Sequence, residues 1–269
     1  MTLCKVLFTF CGILLLVACG EGGEVVVPTG PVCQTPLCDR PTLESLGYHP
    51  FYRKYVDAGG IPVISSEKTQ DRALLVAREI VEEMLAHRPD VFAAMRTRGA
   101  YVGIMSRDEV TTDIPEHAHL ADDPDVDWDE RARGLGGTPQ LPITTAGEEN
   151  LLCLVADRYR GENILVHEFA HAIHLIGIDL VEPQIHSELR NLHASVLALG
   201  LWRDTYAGSN PVEYWAEGVQ SWFDANQQPQ AGVHNHVDTR AELKEYDPLL
   251  STIIERFMGD RDWRPSCPG

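Results

Sequence analysis

The pentapeptide His167-Glu168-Phe169-Ala170-His171 sits inside an apolar run that starts near Asn163 and ends near Gly177. Ile164, Leu165 and Val166 precede it, and Ala172 and Ile173 follow. The run predicts a buried helix. His167 and His171 are four residues apart, so they share one helical face, where two imidazoles can hold a single zinc ion. Glu168, beside the first imidazole, is placed to reach a metal-bound water; zinc lowers the pKa of that water and a carboxylate can take its proton. Phe169, Ala170, Ala172, Ile173 and Ile176 anchor the helix in a core. The bland alternative is an ordinary helical histidine pair.

A third ligand has to come from elsewhere. His174 lies a further turn along the helix, and Asp179 follows Gly177 without a supporting context. The segment Asn210-Pro211-Val212-Glu213-Tyr214-Trp215-Ala216-Glu217-Gly218 offers two carboxylates. Asn210 suits an N-cap and Pro211 the first helical position, which puts Glu213 at N3 with a capping-box-like job. Glu217 lies one turn further in, among Trp215, Ala216, Val219 and Phe223. A carboxylate in such surroundings needs a partner or a metal. Glu217 is therefore the expected third ligand, with Glu213 the alternative.

The pentapeptide resembles that of the zincin metallopeptidases. The metzincin continuation needs Gly at 174 and His at 177; this chain has His174 and Gly177, so that subgroup does not fit. The gluzincin subgroup takes a glutamate from a following helix. The layout HEFAHAIH, a spacer, then YWAEGVQSWF is similar to the catalytic domain of anthrax lethal factor and its bacterial relatives, over Leu151 to Asn226. Trp215-Ala216-Glu217 matches the helix that carries the third ligand in that family. The resemblance implies an α+β, zincin-like fold: a small mixed sheet, an active-site helix, then a mainly helical lobe. It implies one zinc ion, a peptide or protein substrate and zinc metalloendopeptidase activity. It also implies a transition-state tyrosine ahead of the ligand glutamate, for which Tyr206 and Tyr214 are the candidates; His234 or His236 could supply that donor instead. An edge strand lining the cleft is expected from Ala100 to Met105 or from Leu151 to Val155. A zinc-binding envelope lipoprotein and a hydrolase of non-peptide amides are the competing functions.

Around this centre, Asp71 to His87 has amphipathic helical spacing, capped at Ser66 or Thr69. Strands are expected at Ile61 to Ile64, Ala100 to Met105 and Leu151 to Asp157, and helices from Pro183 to Leu199, Pro211 to Phe223 and Thr239 or Arg240 through Phe257. Asp108 to Pro142 reads as a long surface loop. Its alternating Asp123, Asp125, Asp127 and Asp129 leave two readings: a calcium site, or a solvated acidic loop bridged by Arg131 and Arg133.

The chain has 269 residues with 40 acidic and 22 basic side chains, a formal charge of -18. That excess argues against nucleic-acid binding, which relies on Lys and Arg. Residues 1–18 read as a signal peptide: Lys5, then an apolar run from Val6 to Ala18 too short for a membrane span. Leu16-Val17-Ala18-Cys19 resembles a bacterial lipobox. That resemblance implies cleavage before Cys19, a lipid on Cys19 and an exported lipoprotein at the outer membrane or cell surface. Residues 19–40 would form a flexible tether, and residues 41–269 a single catalytic domain. Cys33, Cys38, Cys153 and Cys267 remain for disulfides in three possible connectivities. The sequence gives no oligomeric state.

Overall fold

The computed structural model describes residues 43–265 and the short strand Cys33–Gln34. The expected signal, the lipidated Cys19 and nearly all of the tether lie outside the described residues. The strands are β1 (Cys33–Gln34), β2 (Lys54–Ala58), β3 (Ile61–Ser65), β4 (Tyr101–Met105), β5 (Gly134–Leu135) and β6 (Ile143–Gly147). The helices are α1 (Asp71–Leu85), α2 (Pro89–Thr97), α3 (Trp128–Arg131), α4 (Glu148–Leu151), α5 (Ile164–Ala172), α6 (Asp179–Val181), α7 (Ile185–Ala198), α8 (Pro211–Trp222), α9 (Arg240–Tyr246) and α10 (Pro248–Met258). A π-helical stretch, Ile173–Ile178, joins α5 to α6.

The fold is α+β: a mixed sheet in the first half, helices after it. The sheet runs β1-β2-β3-β4-β6-β5. β3, β4 and β6 are parallel; β2 and β5 flank them antiparallel. The parallel β3–β4 pair needs a crossover, and α1 and α2 supply it. One core cluster joins Val63, Val102 and Ile104 of the sheet to Leu74 and Ile80 of α1, Leu165 and Phe169 of α5, and Trp215 and Trp222 of α8. Each of these large side chains contributes about 1.5–3 kcal/mol on burial. The run Ile164–Val181 is apolar enough to cross a membrane by composition, but 72% of it is buried inside the protein, as expected of a core helix.

Several elements differ from expectation. Leu151 to Asp157 is not a strand. Glu148, Glu149 and Asn150 are buried and hydrogen-bonded, the chain closes a helical turn there, and Cys153 turns out at φ 52°. The strand sits one step earlier, at β6. Neither Ser66 nor Thr69 caps α1. Thr69 Oγ1 donates to the Ile104 carbonyl, while the Glu148 carboxylate accepts the Gln70 N–H at 2.7 Å from across the fold. The final helix is two, because Asp247 caps a new start with Pro248 in its first turn.

Asp108 to Pro142 is also more ordered than a loop. It contains 3-10 turns at Thr111–Asp113 and Pro115–Asp122, then α3 and β5. Calcium at Asp123–Asp129 finds no support. Asp123 accepts the Trp128 indole N–H at 2.8 Å, Asp127 caps α3, and Asp129 accepts the Thr112 N–H and hydroxyl. Arg133 does not bridge this loop; it forms a two-pronged pair with Glu149 at 2.6 and 2.9 Å. Cys153 is disulfide-bonded, and its pairing falls outside the described side chains.

His117 is buried, its Nε2 3.5 Å from Thr145 Oγ1 of β6, and burial pushes its pKa down to about 4. The unfolded chain takes up this proton near pH 6.5, so between about 6.5 and about 4 the unfolded state binds more protons than the folded one. Stability therefore falls as pH drops through that window. Urea midpoints across it should fall less steeply for His117→Gln than for the wild type; parallel slopes would reject the assignment.

Candidate metal centre

The centre is built where α5 crosses α8. Asn163 caps α5 through the Val166 N–H, and its own N–H bonds the Ala225 carbonyl just beyond α8. The Trp215 indole N–H donates to the Ala170 carbonyl at 2.8 Å, which ties the middle of α8 to the end of α5. Gly218 keeps the far side of α8 close to its neighbour: a Cβ there would lie 2.6 Å from Leu250 Cδ2.

With the helices so fixed, His167 and His171 face inward one turn apart, their Nε2 atoms 3.1 Å from each other. Glu213 Oε2 lies 3.0 Å from His167 Nε2 and 3.3 Å from His171 Nε2. Two imidazole nitrogens and a carboxylate oxygen thus converge on one point, all within 4.8 Å of one another. Ligands around a tetrahedral ion with bonds of about 2.0–2.1 Å are themselves about 3.3 Å apart, so this donor set fits a metal ion. The electrostatics agree. Burial pushes the His167 imidazole down, but Glu213, Glu168 and Glu217 more than reverse it, to about 10. Burial likewise raises Glu213, and the two imidazoles hold it well below the usual carboxylate range. The surroundings favour a positive charge between these groups.

The geometry puts Glu213, not Glu217, with the imidazole Nε2 atoms. Asn210 accepts from the Val212 and Glu213 N–H groups, while the Glu213 carboxylate turns to the two histidines of α5. Glu217 lies on the other side of the His167 ring, 3.4 Å from Nδ1. Its second oxygen meets His234 Nδ1 at 3.1 Å and accepts from the Asn226 amide at 3.2 Å. Gln220 Oε1 is 2.8 Å from His167 Nδ1. His167 is therefore held at both nitrogens.

Glu168 points into the same cleft. Burial pushes its carboxyl up, His167 and His171 pull it down, and the Gly136 N–H donates to it. Tyr206 stacks its ring on His167 at 6.1 Å between centroids and hydrogen-bonds Glu213 through its hydroxyl. Tyr214 is elsewhere: fully buried, it donates to Asp247 and packs against His193 and Trp202. His174 remains outside the donor set, its ring against His186 and Trp215.

The cleft has a volume of about 570 Å³. The segments expected to supply its edge strand do not: β4 is central, and Leu151 to Val155 is not a strand. β5 fills that place. It ends the sheet beside β6, and among the described residues its outer edge is unpaired. The sequence reading missed it because two residues give no alternation; the Gly134-Leu135-Gly136-Gly137 run was its one signal. A Cβ at Gly134 would lie 2.5 Å from Ile164 Cγ2, and one at Gly136 would lie 2.7 Å from His171 Cβ. Glycine lets the strand lie flush on α5. Trp128, Arg131, Tyr159, Glu162, Val233 and His234 also line the cleft.

No family model matches the chain, and no curated protein matches it. Among solved structures, the chain is similar to the PRO-PRO endopeptidase PPEP-2 from Paenibacillus alvei, at 16% identity and a TM-score of 0.46, over 72% of this chain and 96% of that one.

The close approach of β5 to α5 makes Gly136 a test of the cleft's architecture. Gly136→Ala should overpack the contact with His171 and lower stability by about 1–3 kcal/mol in denaturant unfolding. An unchanged midpoint would show that the strand is free to shift.

Proposed function

We propose that this chain is a zinc-dependent endopeptidase with a zincin-like active site. The observation that carries the reading is the convergence of His167, His171 and Glu213 on one point, with Glu168 beside it in an open cleft. His167 and His171 through Nε2, and Glu213 through its carboxylate, would hold the ion. When bound, zinc lowers the pKa of water and polarises a carbonyl oxygen.

The remaining steps belong to the chain's own side chains. Glu168 accepts the proton of the attacking water and passes it to the leaving amine. Its raised pKa suits that traffic, since a carboxylate must both take and release the proton. Tyr206, over His167 and facing the cleft, donates its hydroxyl proton in a hydrogen bond to the oxyanion. Glu217 and Gln220 orient the His167 ring from its Nδ1 side. The free edge of β5 pairs with an extended peptide, so main-chain hydrogen bonds hold the substrate along the cleft. The lipobox-like Leu16-Val17-Ala18-Cys19 supports an exported protein tethered by lipid on Cys19, which would set this cleft outside the cytoplasm.

Purified wild type and Glu168→Gln, both loaded with zinc, should be compared on a denatured protein mixture by mass spectrometry. The variant should keep its zinc and lose about 10²–10⁴-fold in cleavage rate. Equal cleavage by both proteins would reject the mechanism.

A further inference from the structure

Glu162 lines the cleft, immediately before the Asn163 cap of α5. Its carboxylate has one weak contact, the Gln220 amide at 3.5 Å. Burial raises its pKa, and the nearby Glu217 adds repulsion; His234 and His167 act the other way. Both imidazoles are already engaged. His234 Nδ1 faces Glu217, and His167 lies between Glu213 on one side and Gln220 and Glu217 on the other. The cleft's two arginines do not serve it either. Arg133 is committed to Glu149, and Arg131 lies over the Trp128 ring. Among the described residues, no Lys or Arg forms an ion pair with Glu162.

A half-buried carboxylate facing a substrate cavity without a dedicated cation is costly by itself, and a cation brought by the ligand relieves that cost. Glu162 lines the same cleft as the converging histidines, and the Gln220 amide links it to His167 Nδ1, so the substrate residue that reaches it lies close to the bond being cut. Building on the peptidase reading above, we propose that Glu162 is a specificity residue that selects a lysine or arginine side chain next to the scissile bond. A charged hydrogen bond of this kind discriminates against a neutral side chain of similar length by about 10- to 100-fold.

The test starts from the cleavage sites that zinc-loaded wild type makes in a denatured protein mixture. Peptides around one such site are then synthesised with Lys, Arg, norleucine, Gln or Glu at each position flanking the cut, and kcat/KM is measured. The wild type should prefer Lys and Arg over norleucine by about 10- to 100-fold at one fixed position. Glu162→Gln should lose most of that ratio, and Glu162→Asp should retain part of it; zinc content and circular dichroism report that each variant is folded. Cleavage by the wild type without a basic preference overturns the proposal and leaves the peptidase reading standing, whatever the variants do. A basic preference that persists in Glu162→Gln also overturns it. A zinc-loaded wild type that cuts no peptide overturns the peptidase reading and this proposal together.

Discussion

Buried carboxylates must find positive charge, and on α8 two of them bracket one imidazole. Glu213 and Glu217 stand one helical turn apart; the first meets His167 at Nε2 and the second at Nδ1. That arrangement fixes the ring's position and leaves two imidazole nitrogens and a carboxylate facing the same point. Burial alone would discharge such a cluster, because the charged forms lose their hydration. The set holds together only because α5 and α8 bring acid and base into contact across a tight helix pair. The Trp215 bond to Ala170 and the Asn163 bond to Ala225 secure that pair, and Gly218 lets α10 back it closely from the far side of α8.

The sheet side of the cleft depends on a second buried charge. Arg133 stands at the entry to β5 and grips Glu149 with both prongs of its guanidinium, while its remaining donors reach the carbonyls of Ser106 and Glu109. Breaking a buried pair by removing one partner costs about 3–5 kcal/mol, so this anchor holds a two-residue strand where pairing with β6 alone would be weak. The glycines around it bring the strand against α5. The cleft is thus a gap between an anchored edge and a helix pair.

The legible parts of the sequence were those where pattern and burial coincide. The α5 helix declares itself by an apolar run with two histidines four apart, and its start near Asn163 was visible as well. The strands β3 and β4, and the helices α7 and α8, fall within a residue or two of where periodicity puts them. The competition between Glu213 and Glu217 was not legible. Both lie on one face of α8, and apolar neighbours made Glu217 the better candidate. What decides the geometry is the partner on another helix: the Glu213 carboxylate goes to the His167 and His171 Nε2 atoms, a pairing no local window shows. Partners distant in sequence explain the other misses. Glu148 to Asn150 turn helical because their bonds run to Gln70, Arg133 and Ile164, which no local window contains.

His167 Nε2, His171 Nε2 and the Glu213 carboxylate are proposed to share one metal ion. Crystals grown with equimolar zinc and measured at its absorption edge test it directly. One anomalous peak is expected within about 2.0–2.2 Å of all three donors, with Glu217 beyond bonding distance on the far side of His167. A peak bound by Glu217 in place of Glu213, or no peak between the two histidines, would contradict it.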